Sequence, residues 1–303
     1  MTGLQRRLLS WYRRHGRAKL PWRAGRSPYR TLISEFMLAQ TQVDRVVPKF
    51  EAFVERFPDL PALADATTAE VLRAWRGLGY NSRAVRLHRL ARVVRELDGA
   101  RLPSDAAALR ALPGIGAYTA AAIRAFAFNL DDVPVDTNVR RIVERVCFGV
   151  EAGAGVAPSE IEAQARALLP AGRAHDWGSA LMDLGATICT ARNPKCLVCP
   201  LQNDCKAAPL DGAAIERQRV ARQKPRAAQE ALPFERTTRY ARGRIVERLR
   251  DLPPGQRISL FDLHREVAPA IPDRSLDDVR TLIAALERDG LISHDGTSVA
   301  LRE

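Results

Sequence analysis

Four of the five cysteines in this chain fall in one short stretch, Cys189-x6-Cys196-x2-Cys199-x5-Cys205. Four thiolates so close together can hold a cubane iron-sulfur cluster or a tetrahedral zinc ion, and by spacing alone the two metals stand about even. Zinc ribbons usually pair two Cys-x2-Cys knuckles far apart, and only one such pair occurs here. So few cysteines, so crowded, do not make a disulfide scaffold, and the loop reads as a metal site. Cys147, between Val146 and Phe148, reads as a buried core thiol.

Two carboxylates are the next candidates. Glu35 lies in Leu32-Ile-Ser-Glu-Phe-Met-Leu38, an apolar helical run in which desolvation would raise its pKa and leave a usable general acid near neutral pH. A lone helical glutamate is also commonly a surface residue. Asp136, in Val133-Pro-Val-Asp-Thr-Asn138, immediately precedes a helical stretch, where a plain N-cap is the simplest role. In Leu112-Pro-Gly-Ile-Gly116, Gly114 and Gly116 let the backbone approach a phosphate while the next helix offers its N-terminal amides; the alternative is an ordinary helix-helix turn.

The elements that must position these groups are helical. From about residue 4 to 190 the apolar spacing follows a helix, most clearly at Val43, Val46, Val47, Phe50, Phe53 and Phe57, with further stripes at Ala84, Leu87, Ala91 and Val94 and at Val139, Ile142, Val143 and Val146. No strand pattern occurs there. Residues 206–226 carry six basic and two acidic side chains and few large apolar ones, the composition of a linker. Beyond it, helical stretches at Tyr240 to Leu252, Leu260 to Val267 and Leu276 to Leu286 precede two short apolar runs around Asp295-Gly296, a hairpin signal. The expected organisation is mainly α: a helical domain over 1–206, a basic linker over 207–236 and a winged-helix-like module over 237–303.

With 46% apolar residues the 303-residue chain can build real cores, and a net charge of +12 favours nucleic acid over membrane surfaces or acidic proteins as its partner. No apolar run approaches a membrane span, and the basic N-terminus lacks the apolar stretch of a secretion signal, so the expectation is a cytoplasmic, nucleoid-associated protein with no membrane contact.

Taken in order, Leu20-Pro-Trp-Arg23, Ser34-Glu-Phe-Met-Leu-Ala-Gln-Thr-Gln42, Gly77-Leu-Gly-Tyr80, Leu112-Pro-Gly-Ile-Gly116, Val135-Asp-Thr-Asn138, Met182-Asp-Leu-Gly185 and the cysteine loop are similar to the MutY adenine DNA glycosylases of the endonuclease III, helix-hairpin-helix superfamily, over roughly residues 4 to 206. The resemblance implies a 4Fe-4S cluster on Cys189, Cys196, Cys199 and Cys205. It also implies a monomeric, monofunctional base-excision repair enzyme that hydrolyses the N-glycosidic bond of an adenine mispaired with 8-oxoguanine or guanine in double-stranded DNA.

In that reading Glu35 protonates the leaving base and Asp136 stabilises the oxocarbenium sugar or attacks it. Asn138 orients Asp136. Tyr118 stands where bifunctional relatives carry a Schiff-base lysine. Gln40, Gln42 and Tyr80 engage the duplex as the base flips out; Gly114, Gly116, Arg192 and Lys195 face the backbone; Trp22, Arg23 and Asp183 line the base pocket. Three departures stand out: Ala39 where the family usually has glutamine, Thr137 where it usually has glycine, and no recognisable Nudix-like domain in residues 232–303. The shortened C-terminal region resembles that of actinobacterial members. The alternatives are a thymine or uracil mismatch glycosylase of the same fold, against which Gln40-Thr41-Gln42 argues, and a non-catalytic DNA-binding protein, which would need neither Glu35 nor Asp136.

Overall fold

The structure is a computed structural model that describes residues 1–150, 155–208, 213 and 233–303; most of the expected linker, 207–236, lies outside the described residues. The chain divides into two compact units that cut across the linear order, one formed by Met1–Glu35, Pro103–Ala111 and Ile115–Ala227, the other by Phe36–Leu102, Leu112–Gly114 and Ala228–Glu303.

The first unit is helical. Its elements are α1 (Gly3–His15), α2 (Pro21–Ala24), most of α3 (Pro28–Leu38), and, after the excursion into the second unit, the helices Ala106–Ala111, Ala117–Phe126, Thr137–Val143, Pro158–Ala167 and Ala174–Thr187. The Thr137–Val143 helix packs on the Ala174–Thr187 helix, which also receives α1 and the Ala117–Phe126 helix. Their shared core contains Leu8, Val139, Ile142, Val143, Trp177 and Leu181, all essentially inaccessible. Burial of such side chains is the main force holding the unit together, at about 1.5–3 kcal/mol each. After Val143 the helix widens into a π turn, Glu144–Phe148, ended by Gly149 in the left-handed region. Cys147, expected in the core, is partly buried on this turn and packs against that core.

The second unit contains α4 (Val43–Arg56), α5 (Leu60–Asp65), α6 (Thr68–Ala74) and α7 (Ser82–Arg95). Val46, Phe50, Phe53 and Phe57 of the apolar stripe are buried, and Phe53 meets Trp75 edge-on with ring centroids 5.9 Å apart. Continuing the numbering through the first unit's helices, Ala106–Ala111 is α8, Ala117–Phe126 α9, Thr137–Val143 α10, Pro158–Ala167 α11 and Ala174–Thr187 α12. The C-terminal part of the second unit consists of α13 (Thr238–Arg250), β1 (Ile258–Ser259), α14 (Leu260–Val267), α15 (Leu276–Arg288), β2 (Ile292–His294) and β3 (Ser298–Leu301). The sheet is antiparallel in the order β1-β3-β2, with Ile258 opposite Val299 and Ile292 opposite Leu301.

The β2–β3 turn is built by Asp295, whose carboxylate accepts from the amides of Thr297 and Ser298 at 3.0 and 2.8 Å, while Gly296 takes the left-handed conformation. Three helices with a small three-stranded sheet form a winged-helix arrangement. The two-residue β1 has too few residues to show alternation, so no periodic pattern marks it in the sequence. Among the described residues no helix is long and apolar enough to cross a membrane.

Candidate active site and cluster loop

The two carboxylates singled out in the sequence meet in the first unit. Glu35 lies in the third turn of α3 and is partly buried. The surrounding protein nonetheless desolvates the carboxyl and pushes its pKa from 4.5 up to about 7, against the lowering effect of a hydrogen bond with the Tyr118 hydroxyl; the negative charge of Asp136 adds to the rise and Arg23 opposes it. Tyr118, in the first turn of α9, is itself held protonated far above its ordinary value by burial and by the two neighbouring carboxylates. Glu35 is thus held protonated within electrostatic reach of a second carboxyl group, the setting in which paired carboxylates take different roles.

Asp136 is the N-cap of α10 and also more than that. Its Oδ1 accepts from the amides of Asn138 and Val139 at 2.8 and 2.7 Å, and its Oδ2 accepts from the Asn138 side-chain amide at 2.8 Å. Asn138 is fixed in turn, because its Oδ1 accepts from Arg141 Nη2 at 2.7 Å. Arg141, buried in the interface of α10 and α12, also donates to the carbonyls of Gly185 and Cys189 at 2.8 and 2.7 Å. A continuous chain of hydrogen bonds therefore runs from the cysteine loop to Asp136. The closeness depends on Gly185: a Cβ built there would stand 2.5 Å from the Asn138 Cβ.

Asp183, expected to line the base pocket, is held by two arginines. Its side chain is 1% exposed and is consumed by Arg23 Nη1 at 2.8 Å and by the backbone and side chain of Arg17, both at 2.8 Å. Its place is behind Arg23, which it orients beside Glu35, while Trp22 is half-buried on α2. A buried carboxylate with two guanidinium partners stays ionised, and its pKa is lowered by them despite the opposing effect of burial.

The cysteine loop follows α12. Cys189, Cys196, Cys199 and Cys205 line one apolar pocket with Ile142, Arg145 and Leu184. Among the described residues no three cysteine, histidine or acidic side chains converge on a point as a single ion requires. Four thiols lining one pocket fit a cluster that has volume of its own. Burial, reinforced by the three neighbouring cysteines, pushes the Cys199 thiol up to about 11, a penalty that a cationic metal centre removes. Arg145, itself 1% exposed, donates to Cys189 Sγ at 3.4 Å and to the Thr190 carbonyl at 2.8 Å. Arg192 and Lys195 are exposed on the same loop.

The second unit holds the remaining candidates. Gln40 and Tyr80 both have left-handed backbones, φ +64° and +45°, an unfavourable conformation for residues with a side chain, and Gln40 and Gln42 are exposed. Both strained segments are tied by one buried side chain: Arg83 donates to the carbonyls of Phe36 and Met37 at 2.8 and 2.9 Å, to Ala39, and to Leu78 and Gly79 at 3.0 and 3.2 Å. Gly114, at φ +82°, admits the Phe36 ring and Arg86, whose atoms would lie 3.2 and 3.3 Å from a Cβ. Gly116, the N-cap of α9, has open space where a Cβ would be.

Sequence reasoning passed over Arg83, Arg141 and Arg145. A signal existed for two of them, since Asn138, Arg141 and Arg145 recur at three and four residues, which places them on one helical face beside the apolar stripe.

A family profile described as HhH-GPD superfamily base excision DNA repair protein matches residues 33–170, and one described as the iron-sulfur binding domain of endonuclease III matches residues 189–205. The adenine DNA glycosylase of Mycolicibacterium smegmatis is 43% identical over 273 residues, 90% of this chain and 89% of that protein. The chain belongs to the adenine DNA glycosylase family. The adenine DNA glycosylase of Mycobacterium tuberculosis is likewise 43% identical, over 80% of this chain and 77% of that protein. Among solved structures, that of a thermostable thymine-DNA glycosylase superposes with a TM-score of 0.62 at 31% identity, over 67% of this chain and 94% of the other. The helix-hairpin-helix fold expected from the sequence is therefore present, the protein is a DNA glycosylase, and the loop's cofactor is a 4Fe-4S cluster. The M. smegmatis alignment is too long to be confined to residues 1–206, so the similarity extends into the C-terminal region.

Proposed function

We propose that this protein, as a monomer acting on the nucleoid, removes adenine mispaired with 8-oxoguanine or guanine from double-stranded DNA. The observation that carries the chemistry is the pairing of Glu35, whose carboxyl keeps its proton up to about pH 7, with Asp136, whose carboxylate is locked by three hydrogen bonds. Glu35 donates its proton to N7 of the flipped base, and the C1′–N9 bond breaks as the base takes the bonding electrons. The sugar becomes cationic beside Asp136, which stabilises it electrostatically or through a transient covalent bond. Water then adds to C1′, breaking the bond to Asp136 where one has formed, and loses a proton to leave an abasic site. The Tyr118 hydroxyl supports Glu35 and offers no amine for an imine.

The four cysteines would hold the cluster, which supplies a fold for the loop that presents Arg192 and Lys195 to phosphates. Gln40, Gln42 and Tyr80 would contact the opened duplex, Gly114 and Gly116 its backbone, and Trp22 and Arg23 the extruded base. The target is read as adenine because the adenine-acting relatives align at 43% over most of the chain, against 31% over two thirds for the thymine-acting structure. Single-turnover cleavage of duplexes carrying A, T or U opposite G or 8-oxoguanine tests this: excision of A alone supports it, and excision of T or U with A untouched rejects it.

A further inference from the structure

Tyr80 stands at the end of the Gly77-Leu-Gly-Tyr turn with its side chain 38% exposed. Its ring is nevertheless not bare. The Arg239 guanidinium carbon lies 3.9 Å from the ring centroid, at stacking distance, and that of Arg83 lies 5.5 Å away. Arg239 belongs to the first turn of α13, more than 150 residues further along the chain and in the C-terminal part of the same unit. It also approaches the exposed ring of Phe234 at 5.6 Å, and Phe234 meets Tyr240 edge-on at 5.5 Å.

The contact is anchored around its edges. Arg250, at the far end of α13 and nearly inaccessible, donates to Asn81 Oδ1 at 2.7 Å, next to Tyr80. Arg76 pairs with Glu247 at 3.0 Å and with Asp251, and Arg73 donates to the Leu252 carbonyl at 3.3 Å. The turn that carries Tyr80 is therefore braced by α13 along its length. Arg239 and Tyr80 both remain open to solvent, and Arg239 has no carboxylate partner among the described residues. A cation stacked on a ring in water adds little to stability. What the arrangement does provide is a flat, cationic platform, the kind of surface on which nucleobases stack.

We propose that Arg239 is a positioning residue for Tyr80: stacked on the ring, it holds Tyr80 in the orientation from which it enters the base stack, so that the C-terminal module acts in DNA recognition through residue 80. This rests on the reading of Tyr80 as a group that engages the opened duplex. The test uses full-length protein and a duplex with a tetrahydrofuran abasic analogue opposite guanine, and measures the affinity and thermal midpoint of Tyr80→Ala, Arg239→Ala and the double variant.

Tyr80→Ala should weaken binding roughly tenfold, a typical effect of losing one aromatic stacking partner. Arg239→Ala should weaken it about fivefold without moving the thermal midpoint. The double variant should bind no worse than Tyr80→Ala, because Arg239 has nothing to act on once the ring is gone. Wild-type affinity of Arg239→Ala beside an impaired Tyr80→Ala overturns the proposal and leaves the wedge reading intact, as does additive loss in the double variant or a lowered midpoint for Arg239→Ala. Wild-type affinity of Tyr80→Ala overturns the wedge reading itself.

Discussion

Glu35 concentrates the residue-scale argument, because one property, the proton it retains up to about pH 7, bears on both rate and stability. If that proton goes to the departing base, single-turnover excision falls as pH rises above 7, and Glu35→Gln, which keeps shape and hydrogen bonding, loses ~10²-fold or more of the rate with little change in binding. A variant that excises like wild type removes Glu35 from the mechanism. The linkage has a definite sign: the folded value lies above the ordinary 4.5, so the protonated form stabilises the fold fully below pH 4.5 and that contribution is lost as pH rises through about 7. Its ceiling is about 3 kcal/mol, and the melting temperature of wild type should fall relative to that of Glu35→Gln between about pH 4.5 and 7. Parallel curves would contradict the raised value. Asp136→Asn keeps a capping oxygen for α10 but loses the charge and sets an amide donor against the Asn138 amide, so it should slow the chemical step by far more than the modest fall in melting temperature accounts for.

At the scale of elements, α10 and α12 place the carboxylate. Asn138, Arg141 and Arg145 lie along one side of α10 and its π turn, and they hold Asp136 at one end and the cysteine loop at the other. The packing of α12 against that side leaves no room at Gly185, where a methyl group would overlap the Asn138 Cβ. Gly185→Ala should therefore destabilise the protein by about 1–3 kcal/mol, the usual range for overpacking. Excision should slow more than duplex affinity falls, because Asp136 loses its support while the groups of the second unit proposed to contact DNA are untouched. Calorimetry and single-turnover kinetics on one preparation separate the two effects, and an Ala variant with wild-type melting would disprove the steric account. Arg83 has the corresponding place in the second unit, where one guanidinium bonded to five backbone carbonyls sustains two left-handed residues, Gln40 and Tyr80.

For the molecule as a whole, the cluster and the charge set the expectations. Purified anaerobically, the protein should be brown and contain about four irons per chain, as four thiolates around one cubane imply; zinc without iron would refute the assignment. Cys199→Ser should reduce iron content and weaken duplex binding, since the loop bearing Arg192 and Lys195 loses the centre around which it folds. With a net charge of +12, affinity for a duplex should drop by roughly tenfold or more between about 50 and 200 mM salt. Borohydride should trap little wild-type protein on DNA because Tyr118 has no amine, and efficient trapping would place an amine nucleophile in the site.

Much of this was legible from residue order alone. Helical period and turn chemistry are local properties, so the stripes through Phe50, Leu87 and Ile142 predicted buried helical faces, Asp295-Gly296 predicted the hairpin, and the cysteine spacing predicted a metal loop. Glu35 and Asp136 were nameable only through the resemblance of their surrounding motifs to a known family, since a lone helical glutamate and a helix-capping aspartate have simpler local readings. What tertiary structure decided depends on groups far apart in the chain. Asp183 turned out to be enclosed by Arg17 and Arg23, the Glu35 carboxyl owes its raised pKa to burial beside Asp136, Asn138 approaches closely only because residue 185 lacks a side chain, and Tyr80 carries an arginine from α13 on its ring. No period or motif encodes such meetings, because desolvation and close approach arise only when separate helices pack.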